Sequence, residues 1–239
     1  MATAPAPTSA PTSAPTPASV STSAPLVAHY DQHALFEDIA RQLTTQGYSI
    51  QPQALPPGLA EALALQAHNP LRAGFSDAAI GRGEQQLHNR AIRSDQILWI
   101  DGDTVVGQKW LDWVSELQHY LNRRLFLGLF SFESHFAHYP PGSFYQRHMD
   151  AFRGQSNRVL TLVTYLNHQW QAEDGGALKL YRDEQDQQGI TVLPKLGTLV
   201  VFLSEEFPHE VLAAQRDRYS IAGWFRVNCS TAQQVDPPR

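Results

Sequence analysis

The chain contains 239 residues, of which 42% are apolar, so it is long enough for one domain with a sizeable core. A formal net charge of −5 gives no basic field for nucleic acid or anionic lipid, and a single cysteine, Cys229, excludes an intrachain disulfide framework. No apolar run reaches the roughly 18 residues that span a bilayer. These properties predict no membrane partner and no direct nucleic-acid partner. The single cysteine fits a cytoplasmic protein, and a monomer is expected.

The first 26 residues are rich in Ala, Pro, Thr and Ser. They lack the charged and apolar regions of a secretory signal, and they contain no Arg, which argues against a transit peptide. Repeated proline removes backbone donors and small polar side chains bury little surface, so residues 1–26 are predicted to be a disordered tail. Residues 27–239 are predicted to form one domain, with helices within 27–127 and a β core over 128–228.

Three helices are predicted in the N-terminal half. Leu35, Ile39 and Leu43 are spaced by four residues, which indicates one helical stripe, and Gly47 is a plausible stop. A strand or extended segment is expected over residues 50–55. The predicted helices cover residues 31–46, 59–65 and 110–127.

From residue 130 onward, short runs of β-branched and aromatic residues alternate with Gly- and Pro-containing turns. The predicted strands cover residues 132–139, 158–166, 177–181, 190–193, 198–203, 209–212 and 219–227. Many short strands after a few helices predict a mainly β fold, a sandwich or jelly roll braced by helices.

His148, Asp150 and His209 form a candidate metal site. On a strand, the spacing of His148 and Asp150 places both side chains on one face, and a distant strand supplies His209. Two imidazoles and one carboxylate leave three octahedral positions open for an oxoacid and O₂, which favours Fe(II) over zinc. A His-x-Asp pair is common by chance, so surface or turn histidines are the alternative.

Arg218, Ser220, Ala222 and Trp224 share one face of the last predicted strand by parity. A guanidinium on an interior face is costly without an anion, and a dicarboxylate cosubstrate would supply one. Tyr165, on an apolar predicted strand, can donate a second hydrogen bond. The alternatives are a surface salt bridge for Arg218 and ordinary core packing for Tyr165 and Trp224.

Further motifs surround these residues between positions 91 and 228. They are Arg93-Ser94-Asp95-Gln96-Ile97-Leu98-Trp99-Ile100, Tyr139-Pro140, Tyr145-Gln146-Arg147-His148-Met149-Asp150, Tyr165-Leu166-Asn167, Gly175-Gly176-Ala177-Leu178, Pro208-His209-Glu210-Val211, Arg218-Tyr219 and Trp224. In this order they resemble the 2-oxoglutarate- and Fe(II)-dependent prolyl hydroxylases, in the branch of the hypoxia-inducible-factor prolyl hydroxylases and their bacterial relatives. The resemblance implies a double-stranded β-helix core with supporting N-terminal helices.

The resemblance also implies roles for individual residues. It makes His148, Asp150 and His209 the iron ligands, and it makes Arg218, assisted by Tyr165, the group that binds the distal carboxylate of 2-oxoglutarate. The implied cosubstrate-lining residue is Tyr139, and the implied substrate residues are Trp224, Arg158, Arg93, Asp95 and Tyr145.

Residues 91–99 match a loop that closes over substrate in this branch. Asp95 and Arg158 are predicted partners across that closure, and a solvated salt bridge or no pairing is the alternative. An ordered segment over residues 74–99 would favour protein substrates, whereas a deep closed pocket would favour small ones.

The implied activity is hydroxylation of a prolyl residue at C4 in a protein, using Fe(II), 2-oxoglutarate and O₂, with ascorbate as reductant and release of succinate and CO₂. Bacterial relatives act on elongation factor Tu, which is therefore the expected substrate protein. The alternatives are the same chemistry on another side chain, a free amino acid or a small molecule, an enzyme used as an oxygen sensor, and a non-catalytic β-helix binding module.

Overall fold

The structure is a computed structural model that describes Met1 and residues 30–69, 74–78, 92–151 and 157–228. The chain divides into two units, Met1–Tyr30 and Asp31–Arg239, and the described helices and strands belong to the second. Apart from Met1, the predicted tail lies outside the described residues, as does Cys229. The predicted boundary at residue 27 and the single domain that follows it stay predictions.

The described residues form three α-helices and one short 3-10 helix, Ala172–Asp174, and local capping determines where two of the α-helices begin. The side chain of Asp31 accepts a hydrogen bond from the first turn of α1, and Gly47 ends that helix in the left-handed conformation with φ of 77°. The helices are α1 Gln32–Gln46, α2 Pro57–Ala67 and α3 Val105–Leu125. Within the described parts of the chain, no helix combines the length and hydropathy that a bilayer-spanning segment requires.

The predicted start of the third helix at residue 110 was wrong by more than one turn. The hydroxyl of Thr104 accepts a hydrogen bond of 2.9 Å from the backbone of Gly107 and caps α3 there. Two valines and a glycine in this first turn have low helix propensity, so the sequence pattern did not indicate that the helix begins there. The cap at Thr104 stabilises this start.

The strands of the described residues are β1 Tyr48–Gln51, β2 Ser76–Asp77, β3 Gln96–Trp99, β4 Leu129–Tyr139, β5 Tyr145–His148, β6 Arg158–Tyr165, β7 Leu178–Leu180, β8 Ile190–Val192, β9 Leu199–Leu203, β10 His209–Val211 and β11 Arg218–Val227. They form two antiparallel sheets. The seven-stranded major sheet has the order β1-β9-β6-β11-β4-β3-β2, and the four-stranded minor sheet has the order β5-β10-β7-β8. The mainly β, double-stranded β-helix fold with supporting helices is confirmed.

Several strand predictions need correction. The first strand covers residues 48–51 rather than 50–55, because it pairs with β9 before the chain turns. The short strands β2, β3 and β5 were not among the predicted strands. They are two to four residues long, too short for a periodic signal, so pairing with β3, β4 and β10 rather than periodicity defines them.

The major sheet has a core on each of its faces. On β4, Phe132 and Phe136 pack toward the helices with Trp110, whereas Ala137 and Tyr139 face the minor sheet. The same alternation continues on β11, as the parity analysis predicted. The space between the two sheets therefore receives the side chains of one face of each central strand.

Candidate active site

The register of the major sheet sets the order of side chains along its inner face. From one end of β11 to the other, Arg218 lies opposite Tyr139, and Ser220 lies between Ala137 and Tyr165. Next, Ala222 lies between His135 and Val163, and Trp224 lies between Glu133 and Thr161. Trp224 lies six positions beyond Arg218 on the strand, roughly 20 Å away at about 3.3 Å per residue. We refer to this inner face of the major sheet as the wall. It has a buried cationic end at Arg218 and an aromatic, charged end at Trp224.

His148, Asp150 and His209 come together against this wall, with ligand atoms all within 4.8 Å of one another. His148 ends β5 and pairs directly with His209, which begins β10. Asp150 Oδ1 lies 3.7 Å from His148 Nε2, and Asp150 Oδ2 lies 3.5 Å from His209 Nε2. Asp150 lies in a bend beyond β5, so the shared-strand reasoning for this pair was wrong although the side chains converge.

Backbone carbonyls hold both imidazoles in the form that can bind a metal. His148 Nδ1 lies 2.7 Å from the carbonyl of Gln146, and His209 Nδ1 lies 3.1 Å from the carbonyl of Phe207. Because a carbonyl only accepts, each Nδ1 carries the hydrogen and each Nε2 presents its lone pair. With one carboxylate, this donor set fits Fe(II) and leaves coordination positions open.

Burial and neighbouring groups determine the charge states of His209 and Asp150. Burial lowers the pKa of His209 to about 4, with a further contribution from the nearby His148. Burial alone would raise the pKa of Asp150, but His209 and His148 outweigh it and hold that pKa well below its usual range. At neutral pH the carboxylate is therefore charged and His209 is neutral, as a metal requires.

Thr161 supports the carboxylate and was missed by the sequence analysis. Its hydroxyl donates to Asp150 Oδ2 at 2.8 Å and lies 2.9 Å from the hydroxyl of Ser204. Both hydroxyl residues are buried. The parity of β6 could have found it, because Thr161 shares the inner face with Val163 and Tyr165.

Arg218 is buried, with 1% of its surface exposed, so the surface salt-bridge alternative is wrong. Its Nε donates to the carbonyl of Gly176 at 2.8 Å and its Nη1 donates to Ser220 Oγ at 3.1 Å. The rings of Tyr139 and Tyr165 lie 4.8 and 5.2 Å from the guanidinium carbon. No carboxylate of the described residues forms an ion pair with it, so its charge lacks a counterion within the described chain.

Tyr165 adds an unpartnered donor beside this cation. Its hydroxyl is buried and has no hydrogen-bond partner among the described residues. Burial raises the pKa of Tyr165 to about 12 and also raises that of Tyr139, so both phenols stay protonated. A buried guanidinium without a counterion and a buried phenol without an acceptor fit one carboxylate of a dicarboxylic acid.

Trp224 and Arg158 lie together at the other end of the wall. Trp224 is 7% exposed, and its indole N–H favours the ionised form of Asp150 without forming a regular hydrogen bond. Glu133 accepts from Arg158 at 2.9 Å and from Arg226 at 3.4 Å. The sequence placed Trp224 and Arg158 together but did not predict Glu133 between two arginines.

The predicted pairing of Asp95 with Arg158 was wrong. Asp95 is 2% exposed and accepts two hydrogen bonds from Arg93, from Nε at 2.6 Å and Nη2 at 2.9 Å. A bidentate partner two residues away satisfies this carboxylate locally. Arg93 also lies 4.8 Å from the ring of Tyr145, which stacks on His148 at 3.6 Å. Residues 79–91, half of the 74–99 segment, lie outside the described residues.

Comparisons with known proteins agree with this geometry. Residues 134–226 match the 2OG-Fe(II) oxygenase superfamily, for which Fe(II) and 2-oxoglutarate are typical. A prolyl-4-hydroxylase structure from Pseudomonas putida is 41% identical, with a TM-score of 0.70 over 81% of this chain and 98% of that one. A Trichoplax adhaerens prolyl hydroxylase, solved with a hypoxia-inducible-factor peptide fragment, is 30% identical, with a TM-score of 0.72 over 82% and 90%.

Curated sequences give the same relationship over shorter spans. Human Egl nine homolog 1 is 32% identical over 148 residues, which is 57% of this chain and 34% of that protein. The Caenorhabditis elegans hypoxia-inducible factor prolyl hydroxylase is 30% identical over 153 residues, 59% of this chain but 21% of that protein. The chain thus spans less than half the length of these curated relatives. With the fold and the two structural relatives, it belongs to the 2-oxoglutarate- and Fe(II)-dependent prolyl hydroxylases, in the branch of the hypoxia-inducible-factor enzymes and their bacterial relatives.

Proposed function

We propose that this protein is a 2-oxoglutarate- and Fe(II)-dependent prolyl 4-hydroxylase acting on a prolyl residue within a protein. The observation that carries the proposal is that three candidate metal ligands share the space between the two sheets with a buried Arg218 that has no counterion among the described residues. The similarity to the Pseudomonas putida prolyl-4-hydroxylase supports the choice of proline. The Trichoplax enzyme, solved with a peptide, supports a protein substrate.

Fe(II), held by His148, Asp150 and His209, would supply O₂ activation coupled to decarboxylation of 2-oxoglutarate to succinate and CO₂. Arg218 and Tyr165 would bind the distal carboxylate and orient the oxoacid toward the triad. Ascorbate is the proposed reductant that keeps the iron divalent.

The remaining residues hold and shield the site. Thr161 fixes the orientation of Asp150, and the ring of Phe202 packs edge-on against His209 at 4.9 Å. Both contacts exclude water from the back of the triad. Trp224, with Arg158 stacked on it, would border the entering proline, and Tyr139 would line the cosubstrate end.

The first test is metal binding without turnover. Mn(II) should bind the purified protein with one site and raise its melting temperature, and Asp150→Ala and His209→Ala should lose both effects. Arg218→Ala should keep them. Mn(II) binding that survives both ligand substitutions would contradict the metal assignment.

The second test identifies the substrate. The protein, Fe(II), 2-oxoglutarate and ascorbate would be incubated under ¹⁸O₂ with elongation factor Tu and, separately, with lysate from a host that lacks the gene. One heavy oxygen on a proline of either sample, absent with His209→Ala, supports the proposal and names the substrate. Succinate formation without a labelled proline would indicate that the enzyme acts on another side chain or on a small molecule. If neither succinate nor labelled proline forms, a non-catalytic binding module would be favoured.

A further inference from the structure

Three side chains form a network on the outer face of the minor sheet, opposite the metal triad. Arg147 precedes His148 on β5, Glu210 follows His209 on β10, and Tyr181 directly follows β7. The guanidinium carbon of Arg147 lies 3.8 Å from the centre of the Tyr181 ring, and the Tyr181 hydroxyl donates to Glu210. We refer to Arg147, Tyr181 and Glu210 as the outer triad.

The outer triad is anchored in an ordered turn. Arg147 donates to the carbonyls of Asp186 and Asp183 at 3.0 and 2.6 Å. The carboxylate of Asp186 accepts from three backbone N–H groups of the same turn, and these hydrogen bonds, that of Gly189 first, lower the pKa of Asp186 to about 2. The turn between β7 and β8 is thereby tied to β5, one residue from a proposed iron ligand.

Strand alternation keeps these residues away from the metal. Neighbours on a strand point to opposite faces, so Arg147 and Glu210 face outward where His148 and His209 face inward. Any effect of the outer triad on the metal therefore acts through the backbone of β5 and β10.

The backbone pairing of these two strands is interrupted at this place. The register between β5 and β10 shifts between His209 and Val211, so the ladder is irregular at Glu210. The outer triad bridges this irregularity, because the Tyr181 ring contacts Arg147 of one strand and its hydroxyl binds Glu210 of the other. Burial and Glu210 raise the pKa of Tyr181 to about 12, so its hydroxyl stays the donor.

We propose that Tyr181 is a positioning residue that, with Arg147 and Glu210, fixes the spacing of His148 and His209 for the metal. The inference rests on the proposed Fe(II) site. Outer groups that orient ligands typically change metal affinity by roughly 10- to 100-fold when removed. Loss of the single Tyr181 hydroxyl is expected near the lower end of that range.

The test measures Mn(II) affinity by the free-ion electron paramagnetic resonance signal, for the full chain and for Tyr181→Phe. The substitution keeps the ring under Arg147 and removes only the hydroxyl. Tyr120→Phe is the matched control, because Tyr120 donates a comparable bond of 2.7 Å to Glu37 on the helices, away from the triad. We expect roughly tenfold weaker binding for Tyr181→Phe and less than about a twofold change for Tyr120→Phe.

Glu210 variants separate positioning from folding. Glu210→Gln keeps an acceptor for the Tyr181 hydroxyl and should bind Mn(II) nearly as the parent does, whereas Glu210→Ala should match Tyr181→Phe. Equal affinity of the parent and Tyr181→Phe, with both folded by circular dichroism, would overturn the inference. A parent that binds no Mn(II) would overturn the proposed metal site and the inference together.

Discussion

The guanidinium carbon of Arg158 lies 3.7 Å from the centre of the Trp224 indole ring, and Glu133 holds it there through Nε and Nη2. A cation over tryptophan contributes about 0.5–2 kcal/mol, depending on desolvation. The indole N–H of Trp224 also favours the ionised form of Asp150, so the ion pair of Arg158 and Glu133 contacts an aromatic ring that borders the proposed iron site.

Glu133→Ala should weaken protein-substrate binding, because Arg158 loses the carboxylate that orients it over Trp224. We expect the KM for the protein substrate to rise by roughly tenfold, about 1.4 kcal/mol, with little change in the KM for 2-oxoglutarate. Glu37→Ala, which loses an ion pair with Arg124 on the helices, is the control. A rise in the KM for 2-oxoglutarate instead would show that Glu133 supports cosubstrate binding and that the role proposed for it is wrong.

Arg218→Lys should keep a positive charge but lose the two-pronged grip on a carboxylate. A hydrogen bond to a charged group contributes about 1.5–3 kcal/mol, so the KM for 2-oxoglutarate should rise roughly 10- to 100-fold. Mn(II) affinity should be unchanged, since Arg218 is not a ligand. Undiminished turnover at low 2-oxoglutarate concentration would show that another residue binds the cosubstrate.

Gly176→Ala should disturb the cosubstrate end through contact as well as backbone strain. Gly176 has φ of +63°, and an added Cβ would lie 3.0 Å from Cδ of Arg218. Gly142→Ala is the matched control, because Gly142 has φ of +84° with no atom near such a Cβ. Both variants should lose about 1–2 kcal/mol of stability in chemical denaturation. A raised 2-oxoglutarate KM is expected for Gly176→Ala alone, and equal KM values would refute the contact argument.

Thr161→Val should weaken metal binding, because the nearly isosteric change removes the hydrogen bond to Asp150 while filling the same space. Mn(II) affinity is expected to fall by about tenfold. Thr164→Val is the control on the same strand, since Thr164 loses a buried hydrogen bond of 3.1 Å to the carbonyl of Thr198 on the opposite face. If both variants lose the same Mn(II) affinity, general destabilisation rather than support of the carboxylate is responsible.

His135 should make the metal-free protein less stable in acid. Burial, with Arg93 and Arg158 as further causes and Asp95 opposing, lowers the pKa of His135 from 6.5 to about 4. Below pH 6.5 the unfolded chain binds a proton that the folded one does not, so the free energy of unfolding falls as the pH drops toward 4. The full effect is on the order of 3 kcal/mol.

His135→Gln removes this titration. The free energy of unfolding in urea, measured at pH 7 and pH 4.5, should fall less for the variant than for the parent. His209 titrates in both proteins, so the difference between them isolates His135. The same loss in both proteins would show that His135 is not buried neutral.

The inner face of β11 could be predicted from the sequence, because alternation along a strand is a property of the local backbone. The same parity would have predicted Thr161 on β6. The start of α3 could not be read from apolar spacing, since the cap at Thr104 rather than the hydrophobic stripe determines it. The strands β3 and β5 are too short for a periodic signal, and their partners define them.

The sequence by itself identified the candidate metal ligands and the arginine proposed to bind a dicarboxylate, and it determined which side chains share a face of each long strand. These properties depend on residue type and on spacing along one chain. Only the tertiary structure decided that Asp95 pairs with Arg93, that Glu133 holds Arg158, and that Tyr181 reaches Glu210. The pairs Glu133–Arg158 and Tyr181–Glu210 join distant segments, so they depend on strand order and register. For Asp95, Arg93 and Arg158 were chemically equivalent partners by residue type. In the structure the buried carboxylate pairs with Arg93, which is nearer in the sequence.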